Sequence, residues 1–248
     1  MPSPHHFPLS VLSRATLREL TTRRPMEKKL GDTVRLLSEI QPANASSNAR
    51  GAIDAAAQRS GGASRYAILG VPEDIGPRAN CGRGGAHSAY DAFLPMFLNM
   101  QSNASLPGDT VIMLGHVFCE DLLLASRGAE ASVLRTLVAQ LDERVEEVSR
   151  AVFEAGMELI VVGGGHNNCL PILRAAHAAG GAPVAACNLD PHGDIRSTTE
   201  GRHSGNGFSL ALEEGALGWY YLCGYHRRYN SASALETLSA YSDVGRAR

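Results

Sequence analysis

A short apolar segment that runs directly into alternating acids and a histidine constrains the fold of this chain most. The segment is V-A-A-C-N-L, residues 184–189, and it continues as D-P-H-G-D with Asp190, His192 and Asp194 at alternate positions. In an extended backbone, residues i, i+2 and i+4 point to the same side, so we expect these side chains to converge just beyond a buried strand. The pattern predicts a metal site. A simple polar turn is the alternative, because Asp-Pro and Gly-Asp are common in turns.

A second apolar segment leads to a further histidine. The residues L-I-V-V, 159–162, predict a strand, and three glycines connect it to His166. Adjacent strands of an open α/β sheet bring their ligands to the same edge, so we expect His166 to join the acids there. His203 follows nine residues after Asp194. The glycines lack the Lys-Ser/Thr of a P-loop, which favours a sharp exit from the strand over phosphate binding.

Strand and helix patterns alternate along the chain, which predicts a parallel sheet covered on both faces, a three-layer α/β/α sandwich. Strands are expected over 65–71, 111–114, 159–162, 184–189 and 219–223, and helices over 86–100, 129–155, 171–179 and 232–241. The periodicity of residues 13–37 predicts two helices broken near Pro25, and 41–62 is expected to be a surface excursion. No strand pattern follows the last helix, so the sheet is expected to lack its C-terminal strands.

We therefore expect one domain, since 248 residues form a single sizeable core more readily than two. Its expected parts are an N-terminal helical and loop segment over 1–62, a metal-site α/β core over 63–230, and a terminal helix and tail over 231–248. Residues 1–24 are rich in Ser, Thr and Arg, as in organelle transit peptides. The helical pattern with Glu19 and Glu27 favours a folded opening segment instead.

Charge and cysteine usage narrow the class of function. The net charge is −2 and no basic stripe follows a helix, which argues against a nucleic-acid partner. Apolar runs are shorter than the roughly 20 residues of a membrane span. The five cysteines are scattered and form no C-x-x-C pair, which is typical of free thiols in a reducing compartment. We expect a cytoplasmic protein that acts on a small molecule. A homo-oligomer is possible.

Several motifs in order resemble the ureohydrolase family of arginases, agmatinases and formimidoylglutamases, and most closely its formimidoylglutamase-like branch. G-G-G-H-N-N is similar to the first metal motif of the family, N-L-D-P-H-G-D to its Asp-x-His-x-Asp motif, and E-G-R-H-S-G-N-G-F to the loop with its active-site histidine. G-V-P-E-D-I-G-P-R-A-N-C-G-R-G-G-A resembles the opening strand and loop of that branch. The resemblance covers about residues 13–230.

The resemblance implies roles for individual residues. The implied metal ligands are His166, Asp190, His192 and Asp194, with Asp190 bridging two ions, and the implied metal is manganese. His203 is expected to move protons or orient substrate, with a loop histidine bonded to the backbone as the alternative. Mixed imidazole and carboxylate ligands suit Mn²⁺ but also accept zinc or iron, so the choice of metal rests on the resemblance.

One departure limits the expected metal content. The family supplies a later Asp-x-Asp motif and a further glutamate, whereas after Asn230 only Glu236 and Asp243 occur. Two carboxylates leave a charge of about +2 on two divalent ions without compensation. The chain is therefore expected to bind one ion more readily than a pair, and one ion or none is the expectation for this site.

The expected reaction is hydrolysis of a C–N bond in a guanidino or formimino group, with water activated by the metal and His203 serving the leaving amine. The expected substrate-binding residues are Arg196, Arg202 and Asn206, because guanidinium groups hold carboxylates through paired hydrogen bonds. Solvated loop arginines are the alternative reading of the first two. Asn167 and Asn168 are expected either to hydrogen-bond the ligands or to cap a helix.

Three other functions remain as alternatives. The first is a truncated, non-catalytic arginase-like protein with a binding or regulatory role. The second is a single-zinc amide hydrolase in which Asp190 and His192 hold the ion and His166 does not. The third, a cysteine nucleophile at Cys169 or Cys187, has little support, because neither has an identified activating base.

Overall fold

Two β-sheets contain the strands in the part of the chain that the computed structural model describes, residues 8–40, 49–59 and 65–240. The strands are β1 Leu9–Ser10, β2 Arg35–Leu36, β3 Tyr66–Gly70, β4 Val111–Val117, β5 Glu158–Val162, β6 Val184–Leu189 and β7 Leu217–Cys223. The first sheet has the order β1-β4-β3-β5, with β2 also paired to β4, and the second is the pair β6-β7. Every pairing is parallel except that of β1 with β4.

Helices separate most of these strands. They are α1 Arg14–Leu20, α2 Leu30–Thr33, α3 Leu37–Ile40, α4 Ala49–Arg59, α5 Ile75–Ala79, α6 Ala89–Leu98, α7 Glu120–Ala125, α8 Ala131–Glu154, α9 Cys169–Gly180, α10 Gly207–Glu213 and α11 Ala232–Ala240. Short 3₁₀ turns lie at Ala86–Ser88, Gly108–Thr110, His166–Asn168 and Arg227–Tyr229. No helix in these described ranges combines the length and apolar character needed to cross a membrane.

The chain divides into two compact units. The first contains residues 1–73, 85–121 and 147–164 and holds the larger sheet; the second contains 74–84, 122–146 and 165–248 and holds β6 and β7. Each unit has its own apolar core. Core residues of the first are Leu17, Leu30, Val34, Leu36, Ile68, Tyr90, Leu94, Leu98, Val111 and Met113. Core residues of the second are Leu170, Leu173, Ile195, Phe208, Ala211, Leu217, Tyr220, Leu222 and Ala234.

The predicted α/β class with mainly parallel strands is confirmed, and each of the five predicted strands occurs. The predicted helices over 86–100, 129–155 and 171–179 appear as α6, α8 and α9 with slightly different ends. Helix α9 ends where Gly181 adopts a left-handed conformation, φ 69°, which glycine accepts without steric cost. The predicted last helix is α11 as far as Ala240, and its final residue lies outside the described residues.

Two predictions for the N-terminal part were wrong. The second helix expected within 13–37 is instead the short helix α2, strand β2 and the start of α3, because the apolar residues there pack in a tertiary core. The surface excursion expected over 41–62 contains helix α4, which buries Ala52, Ile53 and Ala56 completely. Small alanine side chains gave no strong apolar signal in the sequence. The remainder of that excursion, 41–48 and 60–62, lies outside the described residues.

Candidate metal centre

Three of the predicted ligands converge in the second unit. One ligand atom from each of His166, Asp190 and Asp194 lies within 4.8 Å of the other two. His166 Nδ1 is 2.6 Å from Asp194 Oδ2 and 3.6 Å from Asp190 Oδ2. In the described ranges no other group of three or more His, Cys, Asp or Glu side chains meets that spacing.

A turn, and not an extended backbone, brings the two acids together. Asp190 follows the last residue of β6, and its Oδ1 accepts a hydrogen bond from the backbone N–H of His192 at 2.7 Å. This is an Asx turn, in which an aspartate side chain caps the backbone two residues later. Asp194 has a left-handed conformation, φ 47°, which is uncommon for a residue with a Cβ. The extended backbone expected for residues 190–194 was therefore wrong. The alternative, a polar turn, occurs, and Asp190 and Asp194 converge as expected.

His166 reaches the cluster by a second turn. After β5, Gly163 and Gly164 have φ values of 96° and 76°, which glycine accepts readily, and His166 then opens a 3₁₀ turn that leads into α9. The expectation that β5 and β6 are adjacent strands was wrong for the described residues, since β5 pairs with β3 and β6 pairs with β7. The approach of His166 to the acids therefore depends on the turn after the glycines.

The loop with the acids is fixed by residues that the sequence analysis missed. Tyr220 in β7 donates its hydroxyl hydrogen to the Gly193 carbonyl at 2.8 Å and accepts a hydrogen bond from Asn188 at 2.9 Å. Asn230 accepts a hydrogen bond from the Gly193 N–H at 2.8 Å and donates to the Pro191 carbonyl at 3.0 Å. Tyr220 is 2% exposed in the structure, but nothing in the sequence separates it from its aromatic neighbours or indicates these partners.

His192 lies beside the cluster. Its Nδ1 is 3.1 Å from Asp190 Oδ1, and its side chain is 52% exposed. The ring is tilted against that of Tyr229, with centroids 5.6 Å apart. His192 does not belong to the group of three converging ligands, and its Nδ1 contacts Asp190 instead. The role of His192 as a metal ligand stays a prediction.

The acids also determine the charge of His166. The hydrogen bond with Asp194 raises the pKa of His166, and the negative charges of Asp194 and Asp190 add to that effect against the opposing effect of burial. The imidazole packs edge-on against Phe208, with centroids 5.5 Å apart. The protonated form of His166 is thus favoured beside the two carboxylates, and a cation bound by Nδ1 would have to displace that proton.

Arg202 is buried and forms a network of hydrogen bonds that joins three segments. Its Nε donates to Asp142 Oδ2 at 2.5 Å, one terminal nitrogen donates to the His203 carbonyl and to Asn206 Oδ1, and the other donates to Asp142 Oδ1 and to the Asn167 carbonyl. Arginine has five N–H donors, and all five have protein acceptors here. A substrate carboxylate therefore finds no free donor on Arg202, and we replace its predicted substrate-binding role with a positioning role.

Asn206 is equally enclosed. It is fully buried, its Oδ1 also accepts a hydrogen bond from the His203 N–H at 3.2 Å, and its amide donates to the carbonyls of Ser197 and Gly201. These bonds hold the loop that carries His203. The position of the third candidate differs, because Arg196 is exposed. The predicted contact of a substrate carboxylate with Arg196 stays a prediction.

His203 is fully buried, and its two ring nitrogens differ in their surroundings. Nδ1 accepts a hydrogen bond from the Gly205 N–H at 3.1 Å, which assigns the proton of the neutral ring to Nε2. In the described parts of the chain Nε2 has no hydrogen-bond partner, and Glu200 Oε2 lies 3.9 Å away. Burial lowers the pKa of His203 to about 4, and neighbouring arginines add to this effect. The ring is therefore neutral near pH 7 and presents an unpaired N–H.

The candidate cysteine nucleophile has an unsuitable environment. Desolvation by burial raises the pKa of Cys169 to about 12, so the group is a protonated thiol at neutral pH. Gly207 approaches Cys169 so closely that a Cβ there would lie 2.3 Å from the sulfur. This packing indicates a structural thiol, because the thiolate is the reactive form of cysteine.

The converging donors fit one divalent cation. An imidazole nitrogen and two carboxylate oxygens are ligands that Mn²⁺ accepts, as do zinc and iron. Two carboxylates neutralise the charge of a single divalent ion. The three converging ligands therefore suit one ion.

Comparison with solved structures defines the class of fold. Formimidoylglutamase from Bacillus subtilis aligns with a TM-score of 0.63 and 14% identity, over 90% of this chain and 60% of that one. Formiminoglutamase from Trypanosoma cruzi, solved with Mn²⁺, aligns with a TM-score of 0.60 and 20% identity, over 88% of this chain and 64% of that one. The fold is thus that of the arginase-like α/β proteins.

Sequence comparison specifies the family. The family model described as "Arginase family" matches residues 64–242, and the chain belongs to that family. Formimidoylglutamase from Geobacillus sp. (strain WCH70) is 27% identical over 179 residues, 71% of this chain and 50% of that protein. Formimidoylglutamase from Klebsiella pneumoniae (strain 342) is 32% identical over 166 residues, 63% of this chain and 45% of that protein. The chain spans about half the length of these relatives.

Proposed function

We propose that the chain is a metal-dependent hydrolase of the ureohydrolase type, which cleaves a C–N bond of a guanidino or formimino group on a small amino-acid-like substrate. The observation that carries the proposal is the convergence of His166, Asp190 and Asp194 within 4.8 Å. The relatives named formimidoylglutamase support the formimino group as the first candidate. The arginase-like fold and the five free cysteines support a cytoplasmic location.

The proposed cation is Mn²⁺, held by His166, Asp190 and Asp194, with His192 as a further ligand. When bound, it would supply Lewis-acid activation of water. A proton must leave His166 Nδ1 for that atom to act as a ligand, since a nitrogen that carries hydrogen has no lone pair to donate. Asp194 Oδ2 lies 2.6 Å from this atom, and both groups would have to be deprotonated to hold the ion, so binding would release the proton to solvent.

The other residues of the site orient and enclose the substrate in this proposal. His203 carries its proton on the buried Nε2 and is neutral, so it does not suit a shuttle that changes charge near pH 7. Arg202 donates hydrogen bonds to the carbonyls of His203 and Asn167 and so holds the backbone at both residues. The exposed Arg196 is the candidate for a substrate carboxylate.

Metal binding by the purified chain tests the proposal. We expect Mn²⁺ titration by equilibrium dialysis to give one ion per chain, and His166→Asn and Asp194→Asn each to weaken binding at least tenfold, about 1.4 kcal/mol. Glu236→Gln, which removes an exposed acid outside the cluster, is the matched control and should bind as the wild type does. Equal binding by Asp194→Asn and Glu236→Gln would overturn the assignment of the site.

Activity is tested separately with the Mn²⁺-loaded chain. We expect release of a free amine from a formimino amino acid, and less or none from arginine or agmatine, because the named relatives match the first class. One ion bound without hydrolysis of any of the three would support the alternative of a non-catalytic, metal-binding member of the family. Unchanged metal content in His166→Asn would support the single-zinc alternative, which does not need that ligand.

A further inference from the structure

Two of the free cysteines form a pair on neighbouring strands of the second unit. Cys187 in β6 and Cys223 in β7 have their sulfur atoms 3.7 Å apart. Cys187 is exposed and Cys223 is partly exposed. We propose that this pair is a binding site for a thiophilic divalent cation of the Zn²⁺ and Cd²⁺ class, distinct from the cluster of His166 and the acids.

The distance between the sulfurs suits a shared cation. A zinc–thiolate bond is about 2.3 Å long, and at a tetrahedral angle two such bonds place their sulfurs about 3.7–3.8 Å apart. A disulfide requires an S–S distance of about 2.05 Å. The sulfurs are therefore already spaced for two bonds to one ion, whereas a direct bond would require them to move together.

The strand register also disfavours a disulfide. Cys187 lies opposite Tyr221 and Cys223 lies opposite Leu189, so the two cysteines are diagonal neighbours, one alternation apart. With strands about 4.8 Å apart and a rise of about 6.6 Å over two residues, their Cα atoms are roughly 8 Å apart. Disulfides seldom span more than about 6.8 Å between Cα atoms. A cation between the sulfurs needs no movement of the backbone.

The surroundings favour a neutral complex. Residues of the two strands that point to the same side as the cysteines include Leu189, Trp219 and Tyr221, which are 84%, 65% and 42% exposed. Two thiolates neutralise a divalent cation, so the complex would add no net charge beside these apolar side chains. The exposed side of the pair leaves room for water to complete the coordination.

The two sites should select different ions. Soft thiolate ligands favour Zn²⁺ and its heavier relatives, whereas carboxylate ligands suit Mn²⁺. Cys81 is also free and exposed, and it lies outside β6 and β7. It is therefore the matched control for a single accessible thiol.

The test is a Cd²⁺ titration of the reduced 248-residue chain in the Asp194→Asn background, monitored by the ultraviolet thiolate-to-metal charge-transfer band. We expect one Cd²⁺ per chain and, at saturation, two thiols fewer that react with an aromatic disulfide reagent. Cys187→Ser and Cys223→Ser should each weaken binding at least tenfold, and Cys81→Ser should leave it unchanged. Cys187→Ala is the second variant, with far-UV circular dichroism to verify its fold.

Three outcomes would overturn the proposal. They are a charge-transfer band that persists in Cys187→Ser and Cys187→Ala, loss of the band in Cys81→Ser, and no band at all in the reduced chain. Because the signal arises from sulfur and one acid of the other site is absent, these results do not depend on whether the chain binds Mn²⁺ or hydrolyses a substrate.

Discussion

Arg202 and Asp142 are both almost fully buried, so their ion pair depends on mutual compensation. Their side chains are 6% and 2% exposed. Removing one partner of a buried pair leaves the other charge without compensation, which typically costs about 3–5 kcal/mol. The pair also supports the backbone on both sides of the candidate site, through the carbonyls of His203 and Asn167.

We therefore expect Arg202→Ala to lower the free energy of unfolding by about 3 kcal/mol or more. Arg150→Ala is the control, because its ion pair with Glu154 is exposed and such pairs contribute about 0–1 kcal/mol. Chemical denaturation monitored by circular dichroism measures both changes. Equal, small effects of the two substitutions would contradict the positioning role.

His203 should make stability depend on pH. The folded chain protonates this ring only near pH 4, whereas the unfolded chain protonates it near the ordinary pKa of 6.5. The unfolded state thus binds more protons between these values, so the free energy of unfolding should fall as the pH drops from 6.5 towards 4. Above that interval this residue contributes no pH dependence.

The measurement compares unfolding at about pH 7 and about pH 5. His203→Asn should lose less stability over that interval than the wild type. If His203→Asn shows the same pH dependence as the wild type, the ring does not titrate as the buried environment requires.

At the scale of elements, the contact of α9 with α10 depends on a glycine. A Cβ at Gly207, in the first turn of α10, would lie 2.3 Å from Cys169 Sγ in the first turn of α9. At Gly180, the last residue of α9, no atom of the described residues beyond the adjoining helix backbone lies within 4 Å of a Cβ. Substituting alanine at Gly207 tests the close contact between the helices, whereas the same substitution at Gly180 tests only the general preference of helices for alanine over glycine.

We expect Gly207→Ala to destabilise the chain by about 1–3 kcal/mol, as overpacking typically does. Gly180→Ala should be neutral or stabilise by up to about 1 kcal/mol, because alanine loses less backbone freedom on folding. Thermal unfolding of both variants provides the comparison. A neutral Gly207→Ala would show that the helices separate without cost.

For the whole molecule, metal binding should act mainly on the second unit. All three converging ligands belong to that unit, which has its own core. A ligand that binds only the folded state stabilises it, by about 2.7 kcal/mol at a hundredfold excess over the dissociation constant. Local opening of the unit that holds the ion should therefore become rarer than opening elsewhere.

Amide hydrogen exchange tests this expectation. Mn²⁺ should slow exchange in 166–168 and 190–194 by at least tenfold, and in β3 and β4 by much less. Asp194→Asn should abolish the difference. Equal slowing of exchange in both units, or in neither, would contradict a site confined to the second unit.

The sequence by itself determined the family, the α/β class and the candidate metal residues, because strand periodicity and ordered motifs are local properties of the chain. It also located β6 correctly, residue for residue. It did not predict the helix at 49–59, which buries mainly small side chains, or the left-handed conformation of Asp194, and it gave the turn after Asp190 only as the alternative to an extended segment.

Only the tertiary structure decided which polar residues are available to a ligand. Arg202 and Asn206 resembled substrate-binding groups in the sequence. In the structure Asp142, 60 residues away in the chain, accepts hydrogen bonds from Arg202, and the carbonyls of Ser197 and Gly201 accept hydrogen bonds from Asn206. The meeting of Cys187 with Cys223 likewise depends on strand register. Hydrogen-bond partners and burial are set by non-local packing, which the local sequence pattern does not encode.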